Sequence, residues 1–345
     1  MNLNNRNLES GKTISVIICT YNRADLLRKC LDSLEFQLTG ILTCEVIVVD
    51  GSSNDETKLL VAEYTARLPA IRYVYEEKQG HSNARNRGYY EACGDYLIYL
   101  DDDAFVPHDY LENVMQVISK YSPDIMGGPV YPYYNTPKPW WFRDEFEIRK
   151  YKTESGFCTR CGISGGNFII RKHLLGTLGL FDSGYGMSGG KLGMLDERKV
   201  LETYRASIPS EQQRVYYSLE CFVNHYTPSE KMRLRYILKR SFVAGKAQFG
   251  MAIDIVGHPN HVKGLQLILR GISKLFFFEI ALTIAKFVKK QRTLFNLRST
   301  LLKSGDLDFI SSIIYGLTFI VKGLGYCIMQ IKYYLNWIIG KLIST

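Results

Sequence analysis

No stretch of about 20 residues in this 345-residue chain is both wholly apolar and free of charge, and that is what a membrane-spanning helix requires. The best run, Phe309 to Tyr333, is broken by Lys322 and Lys332. Met1 to Lys12 is Asn-rich and lacks the apolar core of a secretory signal, so it reads as a flexible lead-in and the bulk of the chain is expected in the cytoplasm. A zinc framework is lacking too: of eight cysteines only Cys158 and Cys161 stand at metal or redox spacing, and no second pair follows. Several other cysteines sit inside apolar runs, where the thiol behaves as a small hydrophobe, a pattern suited to a reducing compartment.

Acidic residues are scarce in one part of the chain only. Residues 226–345 contain 18 Lys and Arg against 5 Asp and Glu, whereas residues 1–225 contain 25 against 29. A nucleic-acid binder usually carries its basic face on the folded recognition domain, so this asymmetry argues against nucleic acid as a partner. It suits a soluble head held on an anionic membrane surface. Aromatic residues mixed with Lys, as in Lys332-Tyr333-Tyr334-Leu335-Asn336-Trp337, fit the headgroup region. A helical cap or an oligomer contact is the alternative use of this tail. The expected divisions are a lead-in over 1–12, a catalytic domain over 13–228, and a basic amphipathic helical region over 229–345, peripheral at the cytoplasmic face of the membrane or with at most one or two weak membrane segments.

What is present in the first part is a β-α-β-α-β rhythm. Ile14 to Thr20 is a β-rich run, Leu26 to Leu34 carries helical spacing, Glu45 to Val49 repeats the strand, a helix runs from Asn54 through Tyr64, and Ile71 to Tyr75 is a third strand. Strands apolar throughout and separated by amphipathic helices predict an α/β fold with a mostly parallel, Rossmann-like sheet covered on both faces. Ligands in such sheets bind beyond the carboxyl ends of the strands. Polar residues fall at those ends: Thr20, Tyr21, Asn22 and Arg23 after the first strand, Asp50 to Ser53 after the second, and Asp101, Asp102 and Asp103 after the fourth. Further on, Ile163 to Arg171 is expected as a strand interrupted by Gly165 and Gly166, Leu195 to Arg205 as a helix after a glycine-rich loop, and Val215 to Val223 as a last strand ending at Asn224 and His225.

Three adjacent carboxylates at a strand end repel one another and call for full solvation or for a divalent cation such as Mg²⁺ or Mn²⁺, which prefer oxygen ligands. Asp101 and Asp103 form the metal-side pair. Asp102 points away from them if the backbone stays extended, and is expected to orient a sugar. Arg85 and Asn86 follow the Gly80-His81-Ser82 entry to a helix, where a forked guanidinium reaches a phosphate or braces the acidic loop.

Four motifs in order, Ser15-Val16-Ile17-Ile18-Cys19-Thr20-Tyr21-Asn22-Arg23, Val48-Val49-Asp50-Gly51-Ser52-Ser53, Gly80-His81-Ser82-Asn83-Ala84-Arg85-Asn86-Arg87-Gly88 and Leu100-Asp101-Asp102-Asp103, resemble a family 2 glycosyltransferase with the GT-A fold over about residues 13–250. The resemblance implies inverting transfer of a sugar from a nucleotide-sugar donor with a divalent metal, Mn²⁺ or Mg²⁺. By it, Asp103 is the direct metal ligand, Asp101 lies nearer the ribose or the metal's water shell, and His225 lies near the metal or pyrophosphate. Asp50 takes the nucleoside, with Thr20, Tyr21 and Arg23 lining the base. An acid pair after a glycine-rich loop supplies the base in the family. Here Asp196-Glu197 stands in reversed order with Leu195 in place of a glycine, so Glu197 is preferred and Asp196 kept as the alternative. Ser164, Gly165, Gly166 and Asn167 are expected to face the donor sugar or acceptor, and Trp140 and Trp141 to stack on a sugar ring. The sequence thus predicts an enzyme adding one sugar to a lipid-linked or cell-surface glycan. A catalytically silent glycan-binding or nucleotide-sugar-binding subunit is the alternative.

Overall fold

The computed structural model describes residues 12–38, 43–51, 54–187, 193, 195–256, 314, 317–318, 320–324 and 326–333. They divide into two units: Met1–Tyr133 with Ile148–Tyr226, and Tyr134–Glu147 with Thr227–Thr345. Residues 134–147 thus group with the second unit, apart from the rest of the domain expected over 13–228.

The first unit opens with β1 (Ile14–Thr20), α1 (Ala24–Leu38), β2 (Cys44–Asp50), α2 (Glu56–Arg67), β3 (Ile71–Tyr75) and α3 (His81–Glu91). It continues through β4 (Tyr96–Asp101), β5 (Ala104–Phe105), α4 (Tyr110–Tyr121), β6 (Ile125–Gly127), β7 (Val130–Tyr133), β8 (Gly156–Phe157) and β9 (Asn167–Arg171). It closes with α5 (Lys172–Thr177), α6 (Asp196–Ser207), β10 (Val215–Tyr217) and β11 (Val223–Tyr226). The main sheet has the order β3-β2-β1-β4-β9-β6-β10-β8, and a small sheet runs β5-β11-β7. β2, β1 and β4 are parallel neighbours, whereas β9 runs antiparallel between β4 and β6.

Alternation along β1 explains why helices cover both faces. Val16 and Ile18 point into one core with Leu27, Leu31 and Leu34 of α1 and Leu60 and Tyr64 of α2. Ile17 and Cys19 point into the other with Ala84 of α3, Leu175 of α5 and Leu201 and Tyr204 of α6. Each such fully buried aliphatic side chain contributes about 1.5–3 kcal/mol. The register aligns the strand ends: Thr20 pairs with Asp50 and Cys19 with Asp101, so three carboxyl ends finish level.

Two expected strands are corrected. The run expected from Val215 to Val223 is broken, because Ser218 to Cys221 wraps closely round Gly128, where a Cβ would lie 2.1 Å from the Cys221 carbonyl oxygen and 2.4 Å from that of Ser218. Its two halves, β10 and β11, therefore enter different sheets. The strand expected from Ile163 begins only at Asn167, leaving Ile163 to Gly166 as loop at the site.

In the second unit Phe142, Met232 and Ile237 are buried together with Trp141 and Phe146 packed on them. Arg240 of α7 (Leu234–Val256) pairs with Glu147 at 2.7 Å. Among the described residues no helix is long and apolar enough to cross a membrane. The Phe309 to Tyr333 run is described only in part, and Tyr334, Leu335, Asn336 and Trp337 lie outside the described residues.

Gly88 sets how closely α3 lies on the sheet, since a Cβ there would sit 2.3 Å from Ile17 Cγ2. In an open helix Gly→Ala gains about 1 kcal/mol, but overpacking costs about 1–3 kcal/mol. Gly88→Ala is therefore expected to destabilise the protein, read as a lower denaturant midpoint, and a raised midpoint would refute this packing argument.

Candidate active and metal-binding site

The end of β4 and the start of β11 meet at the acidic triplet. β11 pairs antiparallel with β5, setting His225 opposite Ala104, and the Tyr226 amide donates to the Asp103 carbonyl at 2.8 Å. His225 Nε2 consequently lies 3.6 Å from Asp101 Oδ2 and 3.2 Å from Asp103 Oδ1. One ligand atom from each of Asp101, Asp103 and His225 falls within 4.8 Å of the others. Two carboxylate oxygens and an imidazole form a donor set that suits Mn²⁺ and tolerates Mg²⁺. Burial works to raise the Asp101 pKa, but the His225 hydrogen bond and the charges of His81, Arg85 and His225 outweigh it and hold the carboxyl far below its ordinary range.

Asp102 faces inward, unlike its expected place beside a sugar. It is fully buried, accepts the Thr20 hydroxyl at 2.7 Å and pairs with Arg23 at 2.6 Å. Residues 102 and 103 form a turn, so the backbone does not stay extended, and the Asp102 carboxylate is held in the interior by Thr20 and Arg23. Burial pushes it up to about 7 against the pull of Arg23. Arg23, expected beside the base, spans Asp102 and Asp103, 3.1 Å from the latter. Thr20 is likewise spent on Asp102.

The base-side acids stand at the start of α6. Asp196 is buried and takes Arg85 at 3.1 Å and the Ser82 hydroxyl at 3.1 Å. Burial opposes ionisation, yet Arg85 and His81 hold its pKa below the ordinary value. Glu197 is shifted the other way, to about 8, by burial and by the neighbouring Asp196 charge. Paired carboxyls pushed apart in this manner divide roles, the low one a fixed charge and the high one a proton acceptor. Arg85 is the hinge of the arrangement: it also donates to the Gly165 carbonyl at 2.8 Å and lies 3.6 Å from Asp101.

Gly165 and Gly166 do not act through side chains; they make room. A Cβ on Gly165 would meet Arg85 Nη2 at 2.8 Å and the Glu197 carboxyl at 3.0 Å, and one on Gly166 would meet Asp101 Oδ2 at 2.4 Å. Ser164 is buried beside them. His81, read in the sequence only as part of a helix entry, stands between the two acidic groups, 3.7 Å from Asp101 and 3.8 Å from Asp196. A histidine at the first position of a helix that follows a strand end was the available signal.

Other expected residues serve elsewhere. Asn86 is corrected from donor contact: its amide clamps the Phe181 backbone in both directions, at 2.8 and 2.9 Å. Asn167 is buried beneath the loop, accepting from Tyr110 and donating to the Cys221 carbonyl, and cannot face an acceptor. Asp50 is fully buried at the end of β2 and accepts the Tyr73 hydroxyl at 3.1 Å. Tyr21 is 50% exposed, with its ring beside Gly51. Trp140 and Trp141 belong to the second unit, the first exposed and the second packed on Phe142 and Phe146. Ser52, Ser53 and the glycine pair 189–190 lie outside the described residues. Cys158 and Cys161 are joined as a disulfide, the free thiols lying elsewhere.

A mostly parallel sheet covered by helices on both faces, with an acid–histidine group at its strand ends, is a GT-A-like α/β fold. Residues 15–179, just under half of the chain, match the family model described as Glycosyl transferase family 2. It is 33% identical over 147 residues to glycosyltransferase GlyA of Streptococcus pneumoniae, a match covering 42% of this chain and 21% of GlyA. The chain thus spans about a fifth of that relative's length. It is 26% identical over 241 residues to a glucosyl-dolichyl phosphate glucuronosyltransferase of Haloferax volcanii, covering 67% of this chain and 75% of the relative. Among solved structures, mannosyltransferase PcManGT from Pyrobaculum calidifontis, determined with GDP-Man and Mn²⁺, superposes with a TM-score of 0.55 at 16% identity over 92% of this chain and 88% of that one, a likeness of fold.

The raised Glu197 pKa carries a sign for stability. The folded state holds this proton more tightly than the unfolded chain, so stability falls as pH rises from about 4.5 to about 8. Glu197→Gln removes that loss. Denaturant unfolding is expected to show the variant gaining on the unaltered chain across this window, and no gain would mean that Glu197 is not raised.

Proposed function

We propose that this chain transfers one sugar from a nucleotide-diphosphate sugar to a hydroxyl of a lipid-linked or cell-surface glycan, with inversion and with the help of a divalent cation. The observation that supports this best is the pairing of the Asp101, Asp103 and His225 group with a proton-accepting Glu197, linked through Arg85. Bound at that group, a divalent cation would offset the negative charge that develops on a departing diphosphate.

The chain's own residues account for the rest. Glu197 accepts the proton of the acceptor hydroxyl as its oxygen bonds to the anomeric carbon from the face opposite the leaving group. The bond from that carbon to the diphosphate breaks, and configuration inverts. A pKa of about 8 makes Glu197 a stronger base than an ordinary carboxylate while leaving an ionised fraction near neutrality. Asp196 stays ionised against Arg85 and fixes the start of α6. Gly165 and Gly166 let the loop backbone lie directly against Arg85, Glu197 and Asp101. At the nucleoside end the Tyr21 ring offers a face for the base, with Asp50 and Tyr73 beneath. The basic character of residues 226–345 fits attachment to an anionic membrane surface, where a lipid-linked acceptor would reside.

A donor panel assayed in Mn²⁺ tests the chemistry. Glu197→Gln is expected to lower turnover by about 10²–10⁴-fold, while thermal stabilisation by the donor is retained. Donor binding without hydrolysis or transfer for any sugar would show a silent relative instead. Attachment is tested by sedimenting the full chain with vesicles. Binding is expected to anionic vesicles, weakening as salt rises, and equal binding to neutral ones would exclude the electrostatic account.

A further inference from the structure

Arg23 contacts the acidic triplet closely, and the proposed sugar transfer does not use it. Asn22 before it has a φ of 52°, in the left-handed region, which turns the chain back across the strand end. The Arg23 carbonyl accepts the Leu26 and Leu27 amides at 3.1 and 3.0 Å and so starts α1, whose Leu27 is fully buried. Carried on this frame, the guanidinium forks between two acids: Nη2 lies 2.6 Å from Asp102 Oδ1 and Nη1 lies 3.1 Å from Asp103 Oδ2. The remaining Asp102 oxygen takes the Thr20 hydroxyl. Asp103 presents its other oxygen, Oδ1, 3.2 Å from His225 Nε2, on the side where Asp101 stands.

Two effects of Arg23 on a cation would oppose each other. A positive charge beside the site repels the ion. A donor that locks the orientation of a ligand favours binding, and such outer partners are typically worth about 10–100-fold in metal affinity. Asp102 decides between them. It is buried, touches Arg23 more closely than Asp103 does, and cancels much of the guanidinium's field. Orientation is what remains.

We propose that Arg23 and Asp102 form a charge-compensated clamp that holds Asp103 with Oδ1 turned toward a divalent cation. Arg23 is then a positioning residue, and Asp102 is its counter-ion rather than a ligand. The proposal rests on the reading of Asp101, Asp103 and His225 as a cation site. It explains why three consecutive acids stand where a pair would suffice for binding.

Binding of Mn²⁺ alone to the full chain, followed by loss of the free-ion electron paramagnetic resonance signal at pH 8, tests it without any turnover. Arg23→Gln and Asp102→Asn change the local charge in opposite directions. Both are expected to weaken Mn²⁺ binding by about 10–100-fold. Arg23→Lys, which keeps the charge and loses the fork, is expected to weaken it comparably. Tighter binding in Arg23→Gln with weaker binding in Asp102→Asn would mean a simple field effect and would overturn the clamp, as would an Arg23→Lys chain that binds like the unaltered one. Should Arg23→Gln fail to fold, Arg23→Lys decides by the same rule. Equal Mn²⁺ binding by the unaltered chain and Asp103→Ala, or none by either, would remove the cation site itself and the clamp with it.

Discussion

Repulsion among Asp101, Asp102 and Asp103 is the constraint on which this site depends. Three carboxylates on successive residues, two of them buried, cannot share a low-dielectric strand end unless each has its own compensation. The fold supplies it from three separate elements. Asp101 faces His225, His81 and Arg85. Asp102 turns into the core against Thr20 and Arg23. Asp103 sits between Arg23 and His225. Distribution of charge, rather than solvation, keeps the triplet together. It leaves the Asp101 and Asp103 oxygens converging on one point.

Level strand ends make that distribution practicable. Parallel pairing of β1 with β2 and β4 brings Thr20, Asp50 and Asp101 into line, and the small sheet adds His225 from a segment over a hundred residues later in the chain. The glycines of the Ser164 to Gly166 loop allow a second acidic centre to form a few ångströms away. Arg85 then stands between two anionic groups, so that neither Asp101 nor Asp196 has a charge balance independent of the other.

Much of this was legible in the sequence because it follows from periodicity and from strand ends. Continuous apolar runs announced β1 to β4, and polar residues directly after them marked the crevice. The opposite pKa shifts of Asp196 and Glu197 were less accessible, since they depend on burial of the pair and on Arg85, which lies over a hundred positions earlier and holds Asp196 low. Asn86 and Asn167 misled for a related reason: a buried amide satisfying backbone groups has the same one-letter signature as one aimed at a ligand. Asp102 was expected to point away from its neighbours on an extended backbone, whereas residues 102 and 103 form a turn and burial decides where its carboxylate lies. His81 carried no motif of its own, and only the proximity of two acids gives it significance.

Helix α6 has a mechanical consequence beyond its acids. Its 12 residues span about 18 Å. At one end Asp196 is held by Arg85, which also grips the Gly165 carbonyl. At the other Arg205 donates to the Cys161 carbonyl at 2.6 Å, four residues before Gly165. Helix and loop are therefore pinned to each other at both ends, like a strut and its stay closing a triangle. Such a figure has few soft degrees of freedom, so Glu197 and the glycine loop shift together or not at all. Preservation of the close approach of Glu197 to the loop is thus a property of the closed linkage rather than of any single contact.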